Sequence, residues 1–167
     1  MRIFFIQFSC FFVIYLFPFF LFAARGQQSV VDSLEKVLKL AKEDTGKVSL
    51  LNDITWEYWG NGSYDTAMFY GNAALELALK LNFRSGIGVA YNNTGLVYYS
   101  RGLYPQALDC FFRSLKENEG LWANVQEQDT SVKNKYRTEI ARNFGNIGLV
   151  YGSQNDNSKA LEYYLKA

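Results

Sequence analysis

Residues 146–167 of this chain lie over the stretch beginning at Asn93 without a gap. Asn146 falls on Asn93, Gly148 on Gly95, Leu149 and Val150 on Leu96 and Val97, and Tyr151 on Tyr98. Ala160 and Leu161 then fall on Ala107 and Leu108, with Tyr164 in the place of Phe111. A looser copy lies upstream, where Asp53, Tyr58, Gly62, Tyr64, Ala67 and Leu75 fall on Asn93, Tyr98, Gly102, Tyr104, Ala107 and Leu115. That copy has Thr55 where the others have glycine, and Gly71 where they have an aromatic. Self-similarity in one register restricts the chain to a stack of like units, each too small to bury its apolar face alone.

Each signature position has a steric reason. Two helices packed closely need small residues at the contact. Gly95 and Gly148 supply them on the first helix, although glycine in a helix interior costs about 1 kcal/mol relative to alanine. Ala67, Ala107 and Ala160 supply them on the second helix, and Tyr58, Tyr98 and Tyr151 fill the space one turn beyond. Pro105 suits the first turn of a helix, where its missing N–H costs nothing. With Tyr91 in the tryptophan position and Thr94 in the leucine position, these residues resemble the W-x2-L-G-x2-Y…A-x3-F pattern of the tetratricopeptide repeat (TPR) family. The resemblance covers residues 48–167. It implies an all-α fold, an α-solenoid of antiparallel helix pairs with about three units and an N-terminal half-unit.

The units are expected at 48–81, 88–119 and 141–167, within an array spanning 47–167. Residues 27–46 supply an amphipathic helix that covers the first unit, with Val30, Leu34, Val37, Leu38 and Ala41 on its apolar face and Asp32 or Ser33 as its cap. The spacing departs from the usual period of about 34 residues. It is 40 positions from Asp53 to Asn93 and 53 from Asn93 to Asn146. The extra length falls in 117–138, which reads as a helix end interrupted at Gly120, a surface loop, and a new helix from about Thr130. The array stops at Ala167 inside a second helix, so the expectation is a truncated array, or a further element packed against Leu161 to Leu165.

Residues 3–24 are nearly all apolar, with Arg2 before them and Ala24-Arg25-Gly26 after them. That is the layout of a signal peptide over 1–26, or of a signal anchor if uncleaved. Either sends the repeats out of the cytoplasm, to the periplasm or to its face of the membrane. Removing 1–26 takes away two basic residues and no acidic ones, leaving a net charge of −1. No clustered basic face points to nucleic acid. Cys110 is then the sole cysteine and reads as a small hydrophobe.

The sequence contains no histidine, which removes Ser-His-Asp and Cys-His arrangements and the common zinc sites. No cofactor, metal or enzyme active site is expected. What the pattern offers is a surface. In the TPR fold the first helices line the concave side. On that face Asp53, Asn93 and Asn146 recur in register, with Trp56, Leu96 and Arg142 beside them. A side-chain amide both donates and accepts, so an asparagine ladder similar to that of the O-linked N-acetylglucosamine transferase family can hold an extended peptide. The alternative is that these amides bond locally between helices. Trp59 is expected to pack against the N-terminal helix, while for Trp56 both groove and core stay open. Carboxylate capture is not expected, because Arg142 is the one basic residue on the face.

The leader, Asp32-Ser33-Leu34, Asp44-Thr45-Gly46-Lys47 and the Asn-x-Gly-x-x-Tyr repeats together resemble the exported sensor region of bacterial signalling proteins. That resemblance implies a protein- or peptide-binding scaffold outside the cytoplasmic membrane. It also admits the input part of a larger histidine kinase or cyclase. A third expectation is self-association through the uncovered C-terminal end.

Overall fold

The computed structural model describes residues 30–126 and 129–167, so the segment 1–26, expected to direct export, lies outside the described residues. The described chain is an all-α solenoid. A helix over 30–40 (α1) precedes α2 (Thr45–Gly60), α3 (Tyr64–Lys80), α4 (Arg84–Ser100), α5 (Tyr104–Asn124), α6 (Thr130–Ser153) and α7 (Asn157–Lys166). From α2 onward each helix packs on the next. In addition α2 touches α4 and α4 touches α6, whereas among the described residues α3 and α5 do not meet. The first helices therefore form a close inner row, and the second helices stand apart outside it.

Four three-residue turns reverse the chain in the same way. Gly62, Asn82, Gly102 and Asn155, the middle residues, have φ of 82°, 52°, 72° and 61°. In each turn the last residue's N–H reaches back five positions. Ser63, Phe83, Leu103 and Asp156 donate to the carbonyls of Tyr58, Ala78, Tyr98 and Tyr151, all at 2.9 Å. This is the Schellman closure, which satisfies helix-end carbonyls and needs a residue that tolerates left-handed backbone. Side chains close three helix starts: Asp44, Asp129 and Asp156 accept from the N–H of Lys47, Val132 and Lys159. The aspartate at 44 is the reason α2 begins at Thr45, earlier than the apolar pattern alone indicates.

Inside the units, small residues meet large ones. A β-carbon on Gly95 would lie 2.6 Å from Cε1 of Phe111, and one on Gly148 would lie 2.8 Å from the Tyr164 ring. In the first unit the pair is inverted. There the glycine is Gly71 on the second helix, and a β-carbon on it would come within 3.2 Å of Cγ2 of Thr55 and 2.7 Å of Cγ2 of Thr94. The two apparent departures of the upstream copy are thus one exchange of bulk across a contact. Around these pairs lie two cores. Val48, Leu51, Ala74, Leu77, Ala78, Ile87 and Ala90 form one. Leu96, Ala107, Phe111, Leu115, Ile147 and Val150 form the other. Helix α4 serves both, which is why Asn92 to Val97 are buried without a break. Cys110 is buried, and that burial pushes its thiol pKa up despite the Thr94 hydroxyl 3.8 Å away.

The structure corrects three sequence expectations. In α1 the inward residue is Val31, 1% exposed, while Val30 and Val37 are exposed. The stripe is turned because Glu35 faces inward and accepts 2.8 Å hydrogen bonds from both Tyr58 and Tyr70 hydroxyls. Asp32 and Ser33 consequently sit within the helix rather than capping it. Gly120 does not interrupt α5, which continues to Asn124. The Arg84 guanidinium lies where a β-carbon on Gly120 would be and pairs with Glu117 at 2.8 Å. The long interval between the last two units is therefore mostly added helix.

Gly95→Ala should lower stability by about 1–3 kcal/mol, because the buried Phe111 ring cannot yield. Gly145→Ala, where an added β-carbon meets nothing within 4 Å, should raise it by up to about 1 kcal/mol. Urea denaturation of the two variants checks the contrast. A second measurement concerns the Glu35 clamp. Burial, with the hydrogen bond to Glu35, pushes the Tyr58 pKa up to about 12. The neutral phenol's contribution to stability is therefore intact below the ordinary tyrosine pKa of about 10 and is lost as pH rises through the raised value. Alkaline spectrophotometric titration should show a late-ionising phenol, and Glu35→Gln should move it part of the way back.

Candidate functional site

The inner row of α2, α4 and α6 encloses a groove of about 620 Å³. All six residues expected on the concave face, Asp53, Trp56, Asn93, Leu96, Arg142 and Asn146, line it. Their spacing explains this. Asp53 and Trp56 are neighbours on α2, as Arg142 and Asn146 are on α6, because residues three or four apart share a helix face. The three helices present that face to one side because their register repeats.

The amides are not equivalent. Asn93 is buried and donates to the backbone carbonyl of Asn52 at 3.1 Å, so its donor is used between α2 and α4. For this residue the local alternative describes the geometry. Asn146 differs, since its Nδ2 is buried with no hydrogen-bond partner among the described residues. The ladder is therefore uneven: a carboxylate at Asp53, a committed amide at Asn93 and an uncommitted one at Asn146.

Trp56 is half-exposed in the groove. Its ring centroid lies 4.8 Å from that of Trp59, tilted by 42°. Trp59 does pack, but its Nε1 donates to Ser100 Oγ at 2.8 Å, and the ring joins the second core rather than covering α1. Asp53 sits at the rim, and partial burial raises its carboxyl pKa above the usual aspartate value. Arg142 is paired with Glu139 at 3.0 Å.

Sequence reasoning missed Asn52 and Asn92, which also line the groove. Asn92 donates to Oδ1 of Asn143 at 3.2 Å, linking α4 to α6. Asn52 is 4% exposed, and its Oδ1 has no partner among the described residues. A signal for them existed: Asn52 and Asn92 recur at the same 40-residue interval as Asp53 and Asn93. Tyr99 was missed as well, and its hydroxyl meets Ser153 Oγ at 3.0 Å. Among the described residues there is no group of three or more His, Cys, Asp or Glu placed to hold a metal ion, and no helix is long and apolar enough to cross a membrane.

Fold and groove together define a helical-repeat scaffold of TPR-like architecture. No family model and no curated protein matches the chain, but solved structures do. BtubC (BKLC) from P. vanneervenii superposes with a TM-score of 0.67 at 22% identity, over 82% of this chain and 53% of its own. The chain thus spans about half the length of that protein, and the likeness is one of fold. Nearly identical TPR-like repeats of a kinesin light chain protein from Podosopora anserina align with a TM-score of 0.49 at 13% identity, over 84% of each chain. MamA aligns with a TM-score of 0.43 at 18% identity, over 86% of this chain and 88% of its own.

Asn93→Ala should cost about 1 kcal/mol or somewhat more, since it removes a buried hydrogen bond between α2 and α4. Asp53→Ala, at the rim, should stay within about 0.5 kcal/mol of the parent. Chemical denaturation followed by circular dichroism measures both.

Proposed function

We propose that this chain is a peptide-binding scaffold whose concave groove holds an extended segment of a partner protein. The observation that carries the reading is the groove itself: one continuous cleft collects the exposed indole, the amides and the charged side chains of three first helices. A partly exposed aromatic beside polar groups is the composition of binding hot spots. The two uncommitted amide atoms add to it. Each unpaired buried polar group costs about 1–3 kcal/mol, and a peptide backbone offers one donor and one acceptor per residue. A donor suits Asn52 Oδ1 and an acceptor suits Asn146 Nδ2. Both atoms are covered, so a bound segment meets them as the amides turn toward the groove. The apolar run at 3–24 places the scaffold outside the cytoplasmic membrane in this reading.

The test uses the full chain and a pool of randomised nonapeptides, acetylated and amidated at their ends. Trp56→Ala and Leu149→Arg should each reduce capture of the pool about tenfold or more, as loss of a hot spot does. Leu165→Arg, on the exposed face of α7, should leave capture unchanged. Unaltered capture by both groove variants, with parent-like helicity, would sink the proposal.

A further inference from the structure

We propose that the groove selects peptides carrying a basic side chain, arginine in preference to lysine, seated between the Asp53 carboxylate and the tilted indoles of Trp56 and Trp59. This rests on the peptide-binding reading and gives it a ligand chemistry. The lining contains two charged side chains, Asp53 and Arg142. They differ in how they are compensated. Arg142 already has a carboxylate, that of Glu139, at 3.0 Å. Asp53 has no ion pair or hydrogen bond among the described residues. The one uncompensated charge on the groove is therefore negative.

What lies beside that charge fits a cation. Trp56 follows Asp53 by three positions on α2, so the two side chains are neighbours on one face. Its indole is half-exposed and tilted by 42° against Trp59, and it lines the same groove as the carboxylate. A cation over an indole is held by the ring's quadrupole, with tryptophan the strongest partner. A guanidinium does more than an ammonium here: it is planar, stacks on an aromatic face and is less tightly hydrated, while its edge bonds a carboxylate through two N–H groups. Asp53 is exposed at the rim, so a cation can reach its carboxylate from solvent.

The experiment uses the full chain and four pools of end-blocked nonapeptides, randomised except at the central residue, which is arginine, lysine, norleucine or glutamate. The arginine pool should bind about tenfold more tightly than the norleucine pool, read by tryptophan fluorescence and by anisotropy. Lysine should fall between them, and glutamate should be weakest. Asp53→Asn should abolish the arginine advantage over norleucine, and Asp53→Lys should turn the preference toward glutamate. Equal binding of all four pools by the parent, or an arginine advantage that survives Asp53→Asn, overturns the cation inference while the groove reading stands. A glutamate preference in the parent overturns it too and makes Arg142 the selecting group. Absence of binding by every pool removes both readings.

Discussion

The array depends on a steric pairing between a residue with no β-carbon and a ring that occupies the vacated space. Phe111 over Gly95 and Tyr164 over Gly148 set how closely the two helices of a unit approach. That approach decides which residues are covered. Once α4 lies against α5, Leu96 and Val97 are enclosed between neighbouring units and the polar residues around them are committed to the inner row. Glycine weakens an isolated helix, so the helix gains its order from packing against the next. The first unit shows that the constraint concerns the sum of the two volumes rather than which side carries them. Thr55 and Gly71 divide the same space the other way.

Most of this was legible in the sequence, because repetition carries information that no single copy does. Helix positions followed from the register, and α4 and α5 together cover the unit expected at 88–119. Contacts that do not repeat were illegible. The rotation of α1 is fixed by Glu35, and a glutamate on an apolar face reads as solvent-facing until the tyrosines that hold it are known. Gly120 reads as a break until Arg84 is seen lying over it. In both cases a contact with a distant element overrides a local rule.

The groove was legible in its membership and less so in the state of each member. Register alone puts Asp53, Trp56, Asn93, Leu96, Arg142 and Asn146 on one face. Register says nothing about which donors are already used. Asn93 and Asn146 occupy equivalent positions, yet one bonds the preceding helix and the other has no partner among the described residues. The peptide-binding proposal gains from this asymmetry, since a groove whose amides were all committed would have little to offer a backbone.

The links across the inner row have a mechanical meaning. Trp59 to Ser100 and Asn93 to the Asn52 carbonyl tie α2 to α4, while Asn92 to Asn143 and Tyr99 to Ser153 tie α4 to α6. The outer helices α3 and α5 have no such ties, being out of contact with each other. Any flexing of the solenoid therefore has to strain those four hydrogen bonds on the groove side, whereas among the described residues α3 and α5 have no contact to strain.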